Sequence, residues 1–506
     1  MIRMNLIPPS APSPVSHYFC TWSSQLSWRN PGKRHDGYDD VAVFMRDRFC
    51  MPFLFGRDGL LTAVPQAMRG DMLALLDDGW DVPRGTTHHG NAGTERFGSL
   101  LIDGEKFPEL AHLPPADRLK ALSDRVKEMG FAGLGLWVPS SHFGEDVEKS
   151  WDERRADGKA YWEEKAPMLA YADIRYIKVD WGFHGRDVVY RKAMTDAMRK
   201  YSPQTLVEHV IGVYRGPYDL PPEVLDADPA FRDFMDVGRQ TVAVSDVYRT
   251  YDVVEEFKHA TTLARLAYLF DGAFTTDPAS AGLVNVEDSP LIAAGLCMSL
   301  GMMTLPTSPD VRDFEKAMRF SRIAPPFRLD ANDRHVSEKW LTDRYHFHKN
   351  KAEWPHIGDE ILTQKAPAVL SRGTALPAVS APDDDRTPFV LASAHPNGAL
   401  AVCSIDRTGE NGTYACPASV ACSGAKIESP VGVFGAYKSL RIRFDGDLAG
   451  TRIFAQNLLA DEAVDVTDRI GREGDTLVIA GELLREIGST SEKETDASVF
   501  LATGAK

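Results

Sequence analysis

The sequence has little of what membrane proteins, disulfide-rich proteins and nucleic-acid-binding proteins require. It contains no run of 18 apolar residues, and its first 20 residues lack the long apolar segment of a secretory leader. Its six cysteines are scattered, with spacings typical of neither a zinc site nor a disulfide framework. Acidic residues outnumber basic residues by 72 to 57, a net charge of −15 that disfavours binding to phosphate backbones. We therefore expect a cytoplasmic protein with no membrane and no nucleic-acid partner.

Residues 1–350 alternate between short apolar runs and amphipathic stretches, which predicts a parallel sheet covered by helices. The predicted strands are His17–Ser24, Leu73–Asp78, Gly133–Val138, Arg175–Asp180, Thr205–His209, Thr241–Ser245, Phe274–Asp277 and Met302–Pro306. Helices are predicted at Asp117–Met129, Asp187–Lys200 and Val253–Phe270, where apolar residues recur on one face. About eight such repeats over roughly 300 residues are typical of a (β/α)8 TIM barrel.

The composition changes after residue 350. Pro367–Arg386 is rich in Pro, Ala, Ser and Asp and is predicted to be a connecting loop. Beyond it, short runs of strand-forming residues alternate with Gly, Asn and Asp turns, at Pro388–Ala394, Ala399–Ile405, Ser439–Phe444 and Thr476–Ile479. We predict a catalytic barrel over residues 1–350 and an antiparallel β-sandwich domain, with its connecting loop, over residues 351–506.

Four predicted strands end in acidic residues, which are Asp77, Asp78, Asp180, Glu208 and Asp246. The catalytic groups of TIM barrels lie at the carboxyl ends of the strands. Buried carboxylates are costly without partners, and a hydroxyl-rich ligand such as a sugar would supply those partners. Taken singly, each of these residues is more often a cap, a turn or a solvated strand residue. Their order along the alternating pattern is what indicates a site.

Retaining glycosidases use two carboxyl groups about 5–5.5 Å apart, one as nucleophile and one as acid/base. We predict Asp180 as the nucleophile, because Lys178 lies on the same face of its strand and would keep it ionised. Asp246 is the predicted acid/base, with Asp236 and Asp252 as competing candidates. No metal-ligand spacing and no dinucleotide-binding glycine loop is present, so we expect neither a metal nor a cofactor.

Tryptophans near the same strand ends could stack on the faces of a sugar. They are Trp22, Trp80, Trp137 and Trp181. Each of them alone is more often a core residue, so the prediction depends on their common position beside the acidic strand ends.

These motifs together resemble the α-galactosidases of glycoside hydrolase families 27 and 36, in clan D. The similar segments are Asp77-Asp78-Gly79-Trp80, Phe97-Gly98-Ser99, Asp103 with Lys106-Phe107-Pro108, Gly133–Val138, Tyr176–Asp180, Thr276-Asp277-Pro278, Ser289–Gly301 and Met303–Asp313. The resemblance covers most of residues 17–325 and extends to Asp465-Val466-Thr467 and the last strand.

The resemblance implies a retaining, exo-acting α-galactosidase whose substrate is an oligosaccharide or another glycoside. Asp180 would be its nucleophile and Asp246 its acid/base. Asp77 and Asp78 would bind the axial 4-hydroxyl and the 6-hydroxyl of galactose. Trp22, Trp137 and Lys178 would line the same subsite, and Glu208 would meet the 2-hydroxyl side.

The sequence departs from the family at three places. The family's arginine four residues before the acid/base is Val242 here, so Arg239 or Arg249 is expected to replace it. Gly79 stands where family 27 has a cysteine, and Phe19–Ser24 matches the usual first strand only loosely.

Other activities remain open alternatives. They are α-N-acetylgalactosaminidase, β-L-arabinopyranosidase, isomaltose-releasing dextranase, a galactosyl transferase of the raffinose synthase type, and a sugar-binding barrel without catalysis. The oligomeric state, including a homo-oligomer, is open as well.

Overall fold

The computed structural model describes residues 4–10, 15–29, 38–87, 96–211, 229–250, 258–271, 282–329, 333–347, 360–488 and 497–503. Eight parallel strands close into a barrel in chain order, because the first strand pairs with both the second and the eighth. The strands are β1 Tyr18–Cys20, β2 Leu73–Leu76, β3 Leu134–Val138, β4 Ile174–Val179, β5 Leu206–His209, β6 Val247–Arg249, β7 Leu283–Glu287 and β8 Ser299–Met302. The predicted (β/α)8 barrel is therefore confirmed.

Helices connect these strands and cover the outside of the barrel. They are α1 Trp22–Ser27, α2 Tyr38–Asp47, α3 Met51–Phe55, α4 Leu60–Ala63, α5 Gln66–Arg69, α6 Pro115–Glu128, α7 Trp151–Tyr171, α8 Val188–Tyr201, α9 Pro229–Val244, α10 Lys258–Asp271, α11 Pro290–Gly295 and α12 Val311–Ser321. In α6 the residues Leu119, Leu122 and Val126 are buried on one face, as their spacing predicts.

Two of the helices that flank the site begin with side-chain caps. Ser150 and Glu153 form a reciprocal capping box at the start of α7. The Asp187 carboxylate accepts hydrogen bonds from the backbone N–H groups of Val189 and Tyr190 at the start of α8. These caps fix the loops that enter both helices from β3 and β4.

The first five predicted strands overlap β1–β5, but the prediction is wrong for the sixth strand. The segment 241–245 ends helix α9, and β6 begins only at Val247. The predicted seventh strand, 274–277, lies outside the described residues, and β7 begins at Leu283. The eighth strand ends at Met302, where the predicted segment begins.

Of the 17 C-terminal strands in the described residues, 13 form a sandwich of an eight-stranded and a five-stranded sheet, and the other four form two separate two-stranded sheets. The larger sheet has the order β22-β21-β25-β19-β15-β14-β12-β9, and the smaller has the order β13-β18-β20-β24-β23. The strands are β9 Arg334–Val336, β10 Trp340–Phe347, β11 Glu360–Pro367, β12 Val369–Arg372, β13 Ala378–Ser380, β14 Phe389–Ala394, β15 Leu400–Ile405, β16 Arg407–Gly409, β17 Gly412–Tyr414, β18 Ala418–Lys426, β19 Val431–Gly435, β20 Tyr437–Asp445, β21 Arg452–Asn457, β22 Val464–Asp465, β23 Gly471–Glu473, β24 Thr476–Ala480 and β25 Ala497–Thr503. One helix, α13 Gly481–Gly488, follows β24.

The sandwich is mostly antiparallel, as predicted, with parallel pairing between β12 and β14, β15 and β19, and β18 and β20. The predicted connecting loop Pro367–Arg386 is wrong in part, because it contains β12 and β13. Strand β9 pairs with β12 and so joins the sandwich before residue 350.

The barrel and the sandwich pack against each other through α11. A Cβ atom added at Gly295 would lie 2.7 Å from Cys403 Cβ and 3.0 Å from Leu391 Cβ, so the helix meets the larger sheet without a side chain between them. No helix within the described ranges combines the length and apolarity needed to cross a bilayer.

Candidate active site

Polar and charged side chains fill the carboxyl-terminal half of the barrel interior. They lie on β1, β4, β5, β6 and β7 or, for Asp77, directly after β2, and are Tyr18, Asp77, Tyr176, Lys178, Glu208, Arg249 and Glu287. Tyr176 and Lys178 point inward together, because side chains two residues apart share one face of a strand. All seven residues are buried. A charged barrel interior is costly unless its members pair, and the contacts between them provide that pairing.

Lys178 joins two carboxylates from opposite sides of the barrel. Its Nζ lies 2.9 Å from Asp77 Oδ2 and 3.2 Å from Glu287 Oε1. Burial acts to lower the pKa of Lys178, but the neighbouring Asp77, Cys20 and Glu287 raise it well above the usual value. Lys178 is therefore a fixed cation that holds β2, β4 and β7 in register at this level.

Arg249, the last residue of β6, contacts three carboxylates with three different nitrogens. Its Nε lies 3.1 Å from Glu208 Oε1, and its Nη1 lies 3.0 Å from Glu287 Oε2. Its Nη2 lies 3.2 Å from Asp180 Oδ1. The contact of Nη1 with Glu287 has hydrogen-bond geometry, and the contacts with Glu208 and Asp180 are ion pairs.

Asp180 follows β4 and is the most accessible carboxylate of the network. Its side chain is 13% exposed, against 3% or less for Asp77, Glu208 and Glu287. Its Oδ2 accepts a hydrogen bond of 3.2 Å from Trp137 Nε1. Its backbone N–H continues the barrel ladder by donating to Val138 O at 3.0 Å. The carboxylate is therefore held from two sides with an exposed edge.

Aromatic rings surround Asp180. The rings of Trp137 and Trp181 lie 5.4 Å apart, and Phe97 meets them edge-on at 5.9 and 5.3 Å. Trp137 is fully buried, whereas Trp181 is partly exposed. This arrangement leaves Trp181 as the aromatic surface next to the accessible carboxylate.

The network contains more acidic than basic groups. Asp77, Asp180, Glu208 and Glu287 contact only two cations within it, Lys178 and Arg249. Burial raises the pKa of Glu208 to about 7, although Arg249 acts to lower it. Burial also raises the pKa of Asp77. Such a site favours a ligand that donates hydrogen bonds or develops positive charge.

Asp78 does not join this network. Both of its carboxylate oxygens accept from Arg46, at 2.9 Å from Nε and 2.7 Å from Nη2. Arg46 lies against Gly79, where an added Cβ would come within 2.5 Å of Arg46 Cγ and where φ is +108°. Glycine at position 79 thus leaves room for Arg46, which donates to both carboxylate oxygens of Asp78. The prediction that Asp78 binds a sugar hydroxyl finds no support in this arrangement.

Asp246 lies at the opposite end of the barrel from Asp180. It precedes β6, and its backbone N–H donates to Val207 O on β5 at 3.1 Å. Its Oδ1 accepts from Arg199 Nε and Nη2 at 2.9 and 2.8 Å, and its Oδ2 accepts from Val207 N at 3.1 Å. The predicted placement of Asp246 beside Asp180 is therefore wrong, because the sixth strand begins after this residue and not before it.

Of the two arginines predicted to replace the family's arginine, the structure brings Arg249 to the site. Arg239 lies in the outer helix layer, where it contacts Asp236 at 3.1 Å and donates to Tyr268 O at 3.2 Å. Asp236, a competing acid/base candidate, is thereby placed on the outside as well. Asp252, the other competitor, lies outside the described residues.

The predicted tryptophans occupy different positions. Trp22 begins α1 and is half-buried against the cluster that contains Tyr18 and Cys20. Trp80 is fully buried, and its Nε1 donates to Trp137 O at 2.8 Å. Trp80 is thus a core residue that supports the aromatic wall, and its predicted stacking on a sugar finds no support.

Sequence reasoning missed Glu287, Tyr18 and Tyr176. Tyr18 OH donates to Glu287 Oε1 at 2.7 Å, and Tyr176 OH donates to Glu208 Oε2 at 2.7 Å. The alternation Leu283-Val284-Asn285-Val286-Glu287 carries a readable signal, since it places Asn285 and Glu287 on one strand face. The network has no group of three or more metal-ligating side chains in a suitable arrangement, nor does any other part of the described chain.

No family model and no curated protein matches the sequence. Solved structures similar to the chain include a β-L-arabinopyranosidase variant of glycoside hydrolase family 27 from Geobacillus stearothermophilus in complex with arabinose, at 10% identity with a TM-score of 0.39, covering 98% of both chains. Another is the α-galactosidase of Saccharomyces cerevisiae with raffinose, at 10% identity and a TM-score of 0.33, covering 97% of this chain and 95% of that one. An α-amylase from Geobacillus thermoleovorans with acarbose has 10% identity and a TM-score of 0.41, covering 97% and 99%.

Proposed function

We propose that the protein is a retaining glycosidase that acts on terminal α-galactosides with Asp180 as its nucleophile. The observation that carries this proposal is the position of Asp180 at the carboxyl end of β4, accessible at one edge and held by Arg249 and Trp137. Arg249 lies 3.2 Å from Asp180 and holds the carboxylate that would attack the anomeric carbon.

The proposed reaction has two steps. In the first, the Asp180 carboxylate attacks the anomeric carbon, the glycosidic bond breaks, and the leaving oxygen takes a proton from the acid/base. In the second, that residue removes a proton from water, which attacks the anomeric carbon and releases Asp180. Because each step inverts the anomeric centre, the sugar leaves with its original configuration.

The excess of acidic groups supports this chemistry. The transition state of each step resembles an oxocarbenium ion and carries positive charge on the sugar. Glu208, Glu287 and Asp77 lie beneath Asp180 in a site from which water is largely excluded, so their negative potential is weakly screened. Arg249 and Lys178 keep these carboxylates in place while leaving the network acidic as a whole.

We propose Asp252 as the acid/base in place of Asp246. Asp252 follows Arg249, whose guanidinium contacts Asp180, by three residues in the sequence. Asp246, by contrast, is committed to Arg199 and Val207 at the other end of the strand. Arg249 lies three residues before Asp252, whereas the family that the sequence resembles has its arginine four residues before the acid/base.

The sugar preference depends on Asp77 and Asp78. Asp77 accepts from Lys178 and Cys20 at Oδ2 and from the backbone N–H of Asp78 at Oδ1, and Oδ1, with this single donor, would accept in addition from the axial 4-hydroxyl of galactose. Asp78 was predicted to bind the 6-hydroxyl, but its oxygens are taken by Arg46. This contact favours a second candidate, a β-L-arabinopyranosidase, because arabinopyranose keeps the axial hydroxyl and lacks the hydroxymethyl group.

A panel of nitrophenyl glycosides tests the proposal. We expect turnover of the α-galactoside, with kcat/KM for the α-glucoside lower by at least about 10²-fold, because only the former presents an axial 4-hydroxyl to Asp77. Faster turnover of the β-L-arabinopyranoside would establish the second candidate. Binding of galactose by calorimetry without turnover of any glycoside would contradict catalysis and leave a sugar-binding barrel.

A further inference from the structure

A buried histidine holds the segment that follows Asp180. We call residues 181–187, which run from Asp180 to the start of α8, the nucleophile loop. His184 lies in the middle of this loop and is fully buried. Its Nε2 is 2.8 Å from Glu145 Oε1, and its Nδ1 is 3.0 Å from Asp187 Oδ2. The proposed mechanism makes no use of this cluster.

Each carboxylate beside His184 is itself held by an arginine. Glu145 Oε1 accepts from Arg154 Nε at 2.7 Å, and Asp187 Oδ2 accepts from Arg155 Nε at 2.8 Å. Asp187 Oδ1 is used to cap α8. With both carboxylates ionised, both ring nitrogens of His184 must donate, and only the imidazolium can do so.

The surroundings of His184 favour its charged form. Burial acts to lower its pKa, but the hydrogen bonds to Asp187 and Glu145 raise the pKa above the usual value. The pKa values of Glu145 and Asp187 are lowered by the same contacts against the effect of burial. The titratable and charged groups that face this cluster are Glu145, Arg154, Arg155, Asp187, Tyr190 and His142, and burial lowers the pKa of His142.

Two rings fix the plane of the imidazole. Tyr190 stacks on it at 3.9 Å with an interplanar angle of 3°, and Trp151 meets it edge-on at 5.2 Å. The ring therefore cannot rotate freely to replace a lost hydrogen bond. Loss of its proton would turn one ring nitrogen into an acceptor that faces a carboxylate oxygen, and the arginine alone would then donate to that oxygen.

The loop transmits this constraint to Asp180 through the backbone. His184 N donates to Ser140 O at 2.8 Å, and Ser140 N donates to Trp181 O at 2.9 Å. At Gly182, where φ is +153°, an added Cβ would lie 2.8 Å from Ser140 N, so the loop packs directly on the end of β3. Arg191 spans the same loop by donating to Asp180 O and Gly185 O.

We propose that His184, as an imidazolium clamped between Glu145 and Asp187, is a positioning residue that holds the nucleophile loop and so aims Asp180. The inference rests on the proposed function, because Asp180 is the group that it aims. The clamp holds below the pKa of His184 in the folded protein and is released as pH rises through that pKa. Catalysis should therefore decline at alkaline pH even for substrates that need no proton for their leaving group.

The first measurement is an NMR titration of the histidine ring and of the Trp181 indole N–H in the whole protein. His184 is assigned by comparison with His184→Gln. We expect a His184 midpoint above 6.5 that is lowered in Glu145→Gln, and a Trp181 signal that shifts with the same midpoint in the wild type only. A midpoint at or below 6.5, or a Trp181 signal that ignores His184, would overturn the proposal. These readouts require no turnover.

The second measurement is the pH profile of kcat with an aryl galactoside that has an activated leaving group. In His184→Gln we expect kcat to fall by about 10–100-fold with little change in KM and to lose the alkaline decline of the wild type, since a small misplacement of a nucleophile costs this much. His17→Gln is the matched control, because His17 is also buried, bonds to Ser321 and Leu300 N, and lies at the other end of the barrel. The pH profile of kcat in His17→Gln should have the same shape as in the wild type. If the alkaline decline of kcat persists in His184→Gln, the proposal is contradicted. If no glycoside is turned over but the His184 and Trp181 signals still titrate together, only the proposed glycosidase function is contradicted.

Discussion

Two aspartates of the barrel each face an arginine, and the two pairs differ in how completely the carboxylate is used. At the amino end of β6, Asp246 accepts two hydrogen bonds from Arg199 and one from Val207 N. At the carboxyl end of β4, Asp180 shares Arg249 with Glu208 and Glu287 and keeps an exposed edge. A carboxylate whose acceptors are all occupied contributes to the fold, whereas one that shares its cation in an acidic site can still act on a ligand.

The largest expected difference between the two aspartates is in turnover. Asp180→Ala should lower kcat by about 10⁴-fold or more, because no covalent intermediate can form, and should leave the fold intact. Asp246→Ala should keep turnover within about tenfold and lower the free energy of unfolding by about 1–3 kcal/mol, because Arg199 and Val207 N lose their acceptor. Steady-state kinetics and denaturant unfolding of both variants check this. Loss of turnover in Asp246→Ala at unchanged stability would contradict the contrast.

The next largest expected effect is on the leaving-group dependence of turnover, which distinguishes Asp252 from Asp246 as the acid/base. Asp252→Ala should slow substrates with poor leaving groups by about 10²–10⁴-fold and activated aryl glycosides far less, because only the former need protonation. Asp246→Ala should slow both kinds of substrate equally. The comparison of kcat/KM across a series of leaving groups decides between them, and a leaving-group dependence in Asp246→Ala alone would restore the original assignment.

Arg249 and Arg199, the partners of these two aspartates, should also differ in their effect on kcat. Arg249→Lys replaces three differently directed nitrogens by one, so we expect kcat to fall by about 10²-fold, since Asp180 is displaced. Arg199→Lys, the matched change in the other pair, should leave kcat nearly unchanged because Arg199 is partly exposed and distant from Asp180. Equal kcat values for the two variants would show that Arg249 does not position Asp180.

The smallest expected effect concerns the pH dependence of stability. The pKa of Glu208 is raised to about 7 in the folded protein by burial, above the 4.5 of an ordinary glutamate, so the folded state binds this proton more tightly. The contribution of this tighter proton binding to the free energy of unfolding is fully present below pH 4.5 and is lost as pH rises through about 7. Relative to the wild type, Glu208→Gln should therefore gain stability between pH 5 and 8, on the order of 1–3 kcal/mol. If denaturant titrations show that the free energies of unfolding of the wild type and of Glu208→Gln change in parallel with pH, the raised pKa of Glu208 is contradicted.

The contrast between Asp180 and Asp246 also shows where sequence reasoning succeeded. Strand β4 and the helix that follows it, α8, match their predicted segments closely, and Asp180 was placed correctly at the strand end. The segment 241–245 misled because Thr and Val favour strands. In the structure Thr241 Oγ1 and Ser245 Oγ bond back to the carbonyls of Val237 and Thr241, so these hydroxyl residues are accommodated in the last turn of α9.

The misplaced sixth strand accounts for the wrong position of the predicted acid/base. Because the sixth strand was placed too early, Asp246 was assigned to its carboxyl end and Arg249 remained only an alternative. Glu287 was absent from the prediction, because the seventh strand was placed at 274–277. The pairing of Asp78 with Arg46 was beyond sequence reasoning, since α2 lies more than 30 residues before Asp78 and nothing in either segment indicates the contact.

The most direct test of the central claim is to map the residue labelled by a mechanism-based fluorinated galactosyl inhibitor. The wild-type protein and Asp246→Ala are treated with the inhibitor, digested and sequenced by mass spectrometry. We predict one glycosyl group on Asp180 in both proteins, because the intermediate forms at the carboxyl end of β4 and does not involve Asp246. A label on another residue, or the inverted anomer as the first product of substrate turnover by proton NMR, would contradict the assignment of Asp180 as the nucleophile.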